Sequence, residues 1–338
     1  MRNNGPHWLR RHGFVLGLGL AVLLAFLFPE PGSEGGTFHA EILNNAGIAL
    51  ILLLQGLSLS IEKVKQGAGN WRLHLIVQAF TFVGFPCMGL LFHAVTPWIW
   101  PAQPAPIRDG FLYLCVLPST ISTSVVLTAV ARGNTPAALF NAALSNILGV
   151  FLTPVLVQLL MRTTGQSAPI GPLLLKITLL TLVPFFAGMG LRPWIRDRVD
   201  AHKAWIGRIS NMVIVFIVYS AFCDSARHRI WESHGLGTTL AVLAGVAALF
   251  TGMSVLIALV CRAANLVRND FIAAYFCSVK KTLAMGVPLA MLIFGRRTDL
   301  SLILLPIMFY HPLQLFVNGL LANHWGKDAA IPSPRSQV

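Results

Sequence analysis

Charge is what this sequence has least of. Asp, Glu, Lys and Arg make up 11% of its 338 residues, against about 25% in an ordinary soluble domain. Carboxylates are the scarcer sign, with 12 Asp and Glu facing 25 Lys and Arg. No pair of them falls inside an apolar run, and the G-x-x-x-x-G-K-[ST], H-E-x-x-H and G-x-S-x-G templates are absent, which removes the recognisable hydrolases and any built-in ATP engine. Cysteine is sparse as well. Cys87, Cys115, Cys223, Cys261 and Cys277 form no C-x-x-C pair and are odd in number, so neither a disulfide framework nor a zinc site is implied. Cys277 beside Lys280 offers a nucleophile, but no positioned base or oxyanion donor accompanies it, so no catalytic residue is assigned. Also missing are the alternating segments of a membrane β-barrel, each about ten residues long. The net charge of +13 has no basic stripe or interleaved aromatic platform behind it, which excludes nucleic acid as a partner.

What the chain has in abundance is apolar length. Hydrophobic residues make up 55% of it and the mean hydropathy is +0.70. A spanning helix takes about 20 apolar residues, and apolar runs fall at about 13–28, 41–61, 73–95, 110–131, 136–161, 170–191, 206–223, 238–261, 270–294 and 300–322. The expected fold is therefore an all-α polytopic membrane protein with ten transmembrane helices, and the lipid bilayer is its first partner. Several runs are apolar on every face, as a lipid-embedded helix must be. Arg2 to Arg11 followed by Gly13–Phe28 has the regions of a secretory signal, but Pro29-Glu30-Pro31-Gly32 follows without a small-x-small cleavage site. An uncleaved first helix is expected. Alternate loops carry sixteen Lys and Arg against six, which puts both termini in the cytoplasm, and the protein in the plasma (inner) membrane if its source is bacterial.

Ten spans divide into five and five, and an odd number per half inserts the second half upside down. Inverted repeats of this kind are common in secondary transporters. The expected organisation is one membrane transporter domain over 1–338, with a first five-helix repeat at 13–161, an inverted second at 170–322, a split in the Arg162–Pro169 loop and a cytoplasmic tail at 323–338.

The fourth run is interrupted at Leu117-Pro118-Ser119-Thr120-Ile121-Ser122-Thr123-Ser124, and the ninth at Cys277-Ser278-Val279-Lys280-Lys281-Thr282, ahead of Gly286 and Pro288. Broken helices at matching places in two inverted halves point to a binding site near the membrane midplane. Ser119, Thr120, Ser122, Thr123 and Ser124 all carry hydroxyls. They either patch a proline-kinked helix or line a cavity that coordinates an ion or solute. A lysine in mid-span costs about 2.5–3.5 kcal/mol, so Lys280 and Lys281 are functional candidates; the alternative is pairing with backbone carbonyls at the break. Adjacent residues diverge by about 100° around a helix, so both reach one pocket only where the helix is broken. Gln78, Asn141, Ser145 and Asn146 are polar in apolar runs, as are Tyr310, His311 and Gln314. Singly such residues are interhelical glue; together with the two breaks they could form one polar chamber, in which His311 can carry a proton.

Pro118 through Ser124, then Ala131-Arg132-Gly133-Asn134, then Leu152-Thr153-Pro154, resembles the signature of the bile acid:sodium symporter superfamily. Gln78 in Val77-Gln78-Ala79-Phe80, ahead of Pro86, is similar to that family's third-helix glutamine, and Gln55-Gly56-Leu57-Ser58-Leu59-Ser60 extends the likeness. Phe140-Asn141-Ala142-Ala143-Leu144-Ser145-Asn146, Phe276-Cys277-Ser278 and Lys281-Thr282-Leu283-Ala284 resemble its divergent branch, called YfeH-like in bacteria and solute carrier family 10 member 7 in animals.

The resemblance implies a panel and a core domain, broken fourth and ninth helices that cross in the core, and sodium-coupled uptake of organic anions. It also implies departures at the ion sites. The family's Ser-Asn pair falls on Thr123-Ser124, its fifth-helix Ser and Thr ligands on Ala138 and Ala142, and the Glu and Gln of its E-x-G-x-Q-N run on Cys277 and Lys281. An ammonium at Lys281 would occupy space where a sodium binds, with coupling by a proton or by no ion. The alternative is a sodium held by Gln78, Thr123 and Ser124. The expected function is secondary-active transport of a small organic anion by alternating access, with no cofactor beyond a coupling sodium or proton. Its rival is a non-transporting regulator or scaffold with a structural polar core.

Overall fold

The structure is a computed structural model that describes residues 7–59, 67–163, 170–229, 235–294 and 297–328. Residues 164–169 of the expected Arg162–Pro169 split, residues 329–338 of the expected tail and the side chain of Ser122 lie outside the described residues. No strand occurs among the described residues. In chain order the helices are α1 (His7–Leu27), α2 (Ala40–Ser58), α3 (Trp71–Ala79), a π-helical turn (Phe80–Gly84), α4 (Phe85–Ile99), α5 (Ala105–Val116) and α6 (Ile121–Val130). There follow α7 (Thr135–Thr163), α8 (Ile170–Ala201), α9 (Lys203–Arg227), α10 (Leu236–Ala263), α11 (Arg268–Ser278), α12 (Leu283–Phe294) and α13 (Leu300–Asp328). A single helical turn, Pro29–Gly32, stands between α1 and α2.

Among the described residues seven helical stretches are long and apolar enough to cross a membrane: Ala40–Ser58, Trp71–Ile99, Thr135–Leu160, Lys203–Arg227, Gly237–Ala263, Arg268–Phe294 and Leu300–Lys327. A shorter apolar stretch lies at Leu16–Leu27. Trp71, Trp98, Trp194 and Trp205 are exposed near helix ends, where amphipathic rings anchor a helix at the membrane–water boundary. Arg72 stands over the Trp71 ring at 5.6 Å and Arg208 over Trp205 at 5.0 Å.

The chain forms two compact units, each assembled from separated segments. The first takes Met1–Leu59, Ala168–Thr239 and Ala284–Leu305. Its centre is the packing of α2 on α8 through bare glycines. A Cβ on Gly56 would stand 2.1 Å from the Phe185 carbonyl oxygen, and one on Gly188 2.2 Å from that of Leu53. Lipid tails supply no hydrophobic drive between helices, so such close backbone approach is what holds them together.

The second unit takes Ser60–Ser167, Leu240–Leu283 and Pro306–Val338, and contains every candidate site residue. Pro118 has no N–H and forces extended backbone on its predecessor, and Leu117 accordingly sits at ψ 148°. So α5 stops there, and α6 begins only after the extended Thr120. Gly149 of α7 lies against that break, where a Cβ would meet the Pro118 ring at 2.5 Å. The Ala131-Arg132-Gly133-Asn134 segment is the turn into α7. Arg132 is left-handed at φ 57°, and Gly133 lies under Ile272, whose Cγ2 would be 2.5 Å from a Cβ there. Asn134 caps α7 by accepting the Ala137 N–H at 3.1 Å and donates its amide to Asp270 at 2.7 Å. Asn70, which caps α3, donates to the other Asp270 oxygen at 2.6 Å. One carboxylate thus gathers the starts of α3, α7 and α11.

Candidate functional site

A helix end leaves four carbonyls without partners, and inside a membrane each must find one within the protein. Around the α5 break two are claimed by one neighbour, α7. Val116 O accepts from the Thr153 hydroxyl at 2.9 Å and Ser119 O from the Asn146 amide at 2.8 Å. The Ser119 N–H, which in a continuing helix would bond Cys115 O, donates to Ser145 Oγ at 3.0 Å instead. Ser145, Asn146 and Thr153 all stand on α7, so the helix that follows the break is its splint.

The second break, Val279–Thr282 between α11 and α12, is splinted in the same manner by α13. The Lys281 N–H donates to Gln314 Oε1 and the Lys281 carbonyl accepts from Gln314 Nε2, both at 2.8 Å. A side-chain amide replaces the peptide neighbour that unwinding removed. The Tyr310 hydroxyl donates to Val279 O at 2.7 Å. The two breaks also meet directly: the Thr282 N–H donates to Pro118 O at 3.0 Å and the Thr120 hydroxyl to Lys281 O at 3.2 Å. Beside them Ser124 Oγ donates to Phe276 O at 3.1 Å and Cys277 Sγ to Ala138 O at 3.4 Å.

Lys280 and Lys281 are both fully buried, and among the described residues no carboxylate pairs with either. Lys281 Nζ enters a cage of backbone oxygens, donating to Leu117 O at 2.7 Å, Cys115 O at 3.0 Å and Thr81 O at 3.3 Å. The Phe85 ring lies 3.9 Å from the same nitrogen, its negative face toward the charge. The third oxygen comes from the π turn. Phe85 N–H bonds Phe80 O, so the next donor in that register would be Pro86, which has none, and Thr81 O is left over.

Lys280 Nζ goes elsewhere, donating to Thr123 Oγ1 at 2.5 Å in the first turn of α6. That helix starts without a side-chain cap, the Thr120 hydroxyl being spent on Lys281 O. Its free N–H groups carry positive partial charge. An ammonium and a helix N-terminus therefore share one place, and negative charge is what such a place can hold. Among the described residues no three His, Cys, Asp or Glu side chains converge as a metal site would need.

Known proteins with similar sequences bear on what this polar centre serves. The family described as the SBF-like CPA transporter family matches residues 12–327. The chain belongs to that family. It is 37% identical over 316 residues to "Putative symporter YfeH" of Escherichia coli (strain K12), covering 93% of each chain. It is 29% identical over 321 residues to "Sodium/bile acid cotransporter 7" of Danio rerio, again covering 93% of each. Family membership and the apolar helices make it a multi-pass membrane transporter.

In this transporter Ser119, Thr120, Thr123, Ser124, Ser145, Asn146, Cys277, Lys280, Lys281 and Thr282 are brought together at the two breaks by the bonds above. Gln78 stands aside: its Nε2 donates to Asn141 O at 3.0 Å and lies 3.3 Å from Asn141 Oδ1, bonds that join α3 to α7 and do not reach Thr123 or Ser124. His311 Nδ1 is 3.2 Å from Gln314 Nε2. Ser278 Oγ and Gln78 Oε1 are buried without a hydrogen-bond partner among the described residues. Unwinding is narrower than the polar runs suggest. Ile121 to Ser124 already form the first turn of α6, and Cys277 and Ser278 end α11. Thr81, Phe85 and Thr153 are at the site without having been singled out for it. Thr153 carries a signal, since its hydroxyl precedes a proline in an apolar run; Thr81 acts through its backbone and carries none.

Proposed function

We propose that this transporter moves a small organic anion by secondary-active alternating access, with the anion's charge resting on Lys280. What carries this is the meeting of the Lys280 ammonium with the uncapped start of α6. A lone lysine at membrane depth costs about 2.5–3.5 kcal/mol, a cost that an arriving anion offsets. Bile acid, the solute in the name of the Danio rerio relative, is an organic anion and supports the same class. No catalytic step and no nucleic acid enters this function.

The proposed architecture is ten spans in two inverted five-helix repeats, 13–161 and 170–322, with both termini cytoplasmic. It is supported by the loop charges and by the splints: α7 follows the first break and α13 the second, the correspondence that a repeat would produce. The unit holding both breaks is assigned as the core and the other as the panel. For the coupling ion, a proton suits the geometry better than a sodium at Gln78, Thr123 and Ser124. Thr123 Oγ1 already accepts from an ammonium, and a second cation at that oxygen would meet its charge.

The test is thermal stability of the purified, detergent-solubilised protein across a panel of organic anions, bile acids included, with Na⁺, K⁺ and pH varied independently. A ligand for the folded state raises apparent stability. Saturable stabilisation that needs no Na⁺ and is lost in Lys280→Met is expected. If no anion stabilises the protein, the rival role of regulator or scaffold with a structural polar core is favoured.

A further inference from the structure

We infer that His74 is a proton-binding site, set in a hydrated seam between α3 and α7 that leads from one membrane face to the helix breaks. Asn70, His74 and Gln78 recur at every fourth residue and so share one face of α3. Each meets a neighbouring helix. Asn70 donates to Asp270 at 2.6 Å, and Asp270 also accepts from Asn134 at the start of α7. The His74 ring lies on Phe140 of α7, with centroids 4.2 Å apart. Gln78 donates to Asn141 O at 3.0 Å. Just beyond it, Thr81 O accepts from the Lys281 ammonium at 3.3 Å. The rise from Asn70 to Thr81 is about 16 Å, roughly half of a hydrocarbon core of about 30 Å, so this polar face runs from the membrane surface to mid-depth.

Its middle is unsatisfied. His74 is buried at 7% exposure, and neither ring nitrogen has a hydrogen-bond partner among the described residues. The Asn141 side chain and the backbone of Gly67 and Ala68 lie beside the ring, none in bonding geometry. Gln78 Oε1 is unpartnered as well. A neutral imidazole carries one donor and one acceptor, and ordered water is what satisfies buried polar groups that the protein leaves unpaired. His74 and Gln78 are one turn apart, about 6 Å along the axis, a gap that bridging water fills. The outer end is open to solvent: Ala68 and Gly69 are exposed, and Asn70 and Asp270 are half-buried. In the proposed orientation this is the cytoplasmic end.

An imidazole accepts a proton at one nitrogen and releases one from the other, and it does so in the physiological pH range. Of the charged groups on the elements packed against α3, the Asp270 carboxylate acts on the ring. Arg268 is turned to Trp325 O, Cys277 to Ala138 O, and Tyr275 packs on Trp325. The one charge on α7, Arg162, stands at its far end. A role for this proton in coupling rests on the anion-carrier function; the site itself does not.

The experiment is exchange of the imidazole C2 hydrogen for deuterium, read by mass spectrometry on the full wild-type chain in detergent from pH 5 to 9, with no anion added. That exchange follows a sigmoid in pH for an imidazole that titrates in contact with water. His74 is expected to show the sigmoid, with a plateau rate within about a hundredfold of the exposed His202, the slowing a local opening allows. A flat profile, or a slower plateau, overturns the site. Coupling is read separately, as the half-saturating concentration of whichever anion of the panel stabilises the protein. Between pH 5.5 and 8 it should change about fivefold or more in wild type and stay constant in His74→Gln, which keeps hydrogen bonding but takes no proton. The full wild-type pH dependence in His74→Gln overturns the coupling role. If no anion stabilises the protein, the carrier function falls, and the exchange profile of wild type still decides whether His74 binds a proton.

Discussion

Lys280 and Lys281 are adjacent in the chain, yet the ammonium of one rests on the Thr123 hydroxyl at 2.5 Å and that of the other on the Leu117 and Cys115 carbonyls at 2.7 and 3.0 Å. Two neighbours with the same charge thus have different partners. The same substitution should affect them in opposite ways. Lys280→Met removes a buried charge with one hydroxyl partner, so unfolding stability should hold or rise by up to about 3 kcal/mol, while apparent anion affinity falls tenfold or more. Lys281→Met strips the donor from three buried carbonyls, each costing about 1–3 kcal/mol when left unpaired, so a loss of about 3 kcal/mol or more is expected. Denaturant unfolding of the two variants side by side decides the matter.

Gln314 holds both sides of the Lys281 peptide, and its replacement should be felt at the break rather than along α13. Gln314→Leu removes two hydrogen bonds and leaves a buried N–H unpaired, a cost of about 2–4 kcal/mol. Gln314→Glu keeps the acceptor for the Lys281 N–H and loses the donor to its carbonyl, so it should lie between wild type and the leucine variant. An equal loss in both variants would show that the amide is not acting as a two-sided splint.

Gly149 is where α7 comes onto the Pro118 ring. A methyl group there would overlap ring carbons at 2.5 and 2.6 Å, and a proline ring cannot swing aside as a flexible side chain does. Overpacking of this kind costs about 1–3 kcal/mol. Gly149→Ala should also shift Ser145 and Asn146 off Ser119, weakening anion-dependent stabilisation. Gly149→Ala melting and binding like wild type would refute this packing.

Asp270 accepts one amide from Asn70 and one from Asn134, at 2.6 and 2.7 Å. Hydrogen bonds to a charged group contribute about 1.5–3 kcal/mol each. Asp270→Asn keeps the shape and loses the charge, and should destabilise the second unit by about 2–4 kcal/mol. Hydrogen exchange ought to localise the loss to the starts of α3, α7 and α11, whereas a uniform loss over the whole chain would count against the clamp.

Much of this protein could be read from local pattern. An apolar residue is apolar wherever it sits, and a lipid-spanning helix satisfies its own backbone, so the apolar runs became helices with little reference to one another. The breaks were legible for the same reason. Pro118 removes a donor, and paired lysines in an apolar run are costly unless the helix opens. The Arg132-Gly133-Asn134 turn and the Thr153-Pro154 pair were visible as motifs, although their work, clamping Asp270 and capping Val116, was not.

What the sequence determined by itself is therefore the class of molecule, its helices and the two places where they open. Tertiary structure decided what those openings do. The cage around Lys281 is made of backbone oxygens, which every residue carries and no residue type announces. They became free through the register of a π turn and a serine on another helix. Gln314 lies 33 residues beyond the lysine it splints. Which of two adjacent lysines is caged and which rests on a hydroxyl follows from the direction the chain takes once unwound, and segments remote in sequence set that direction.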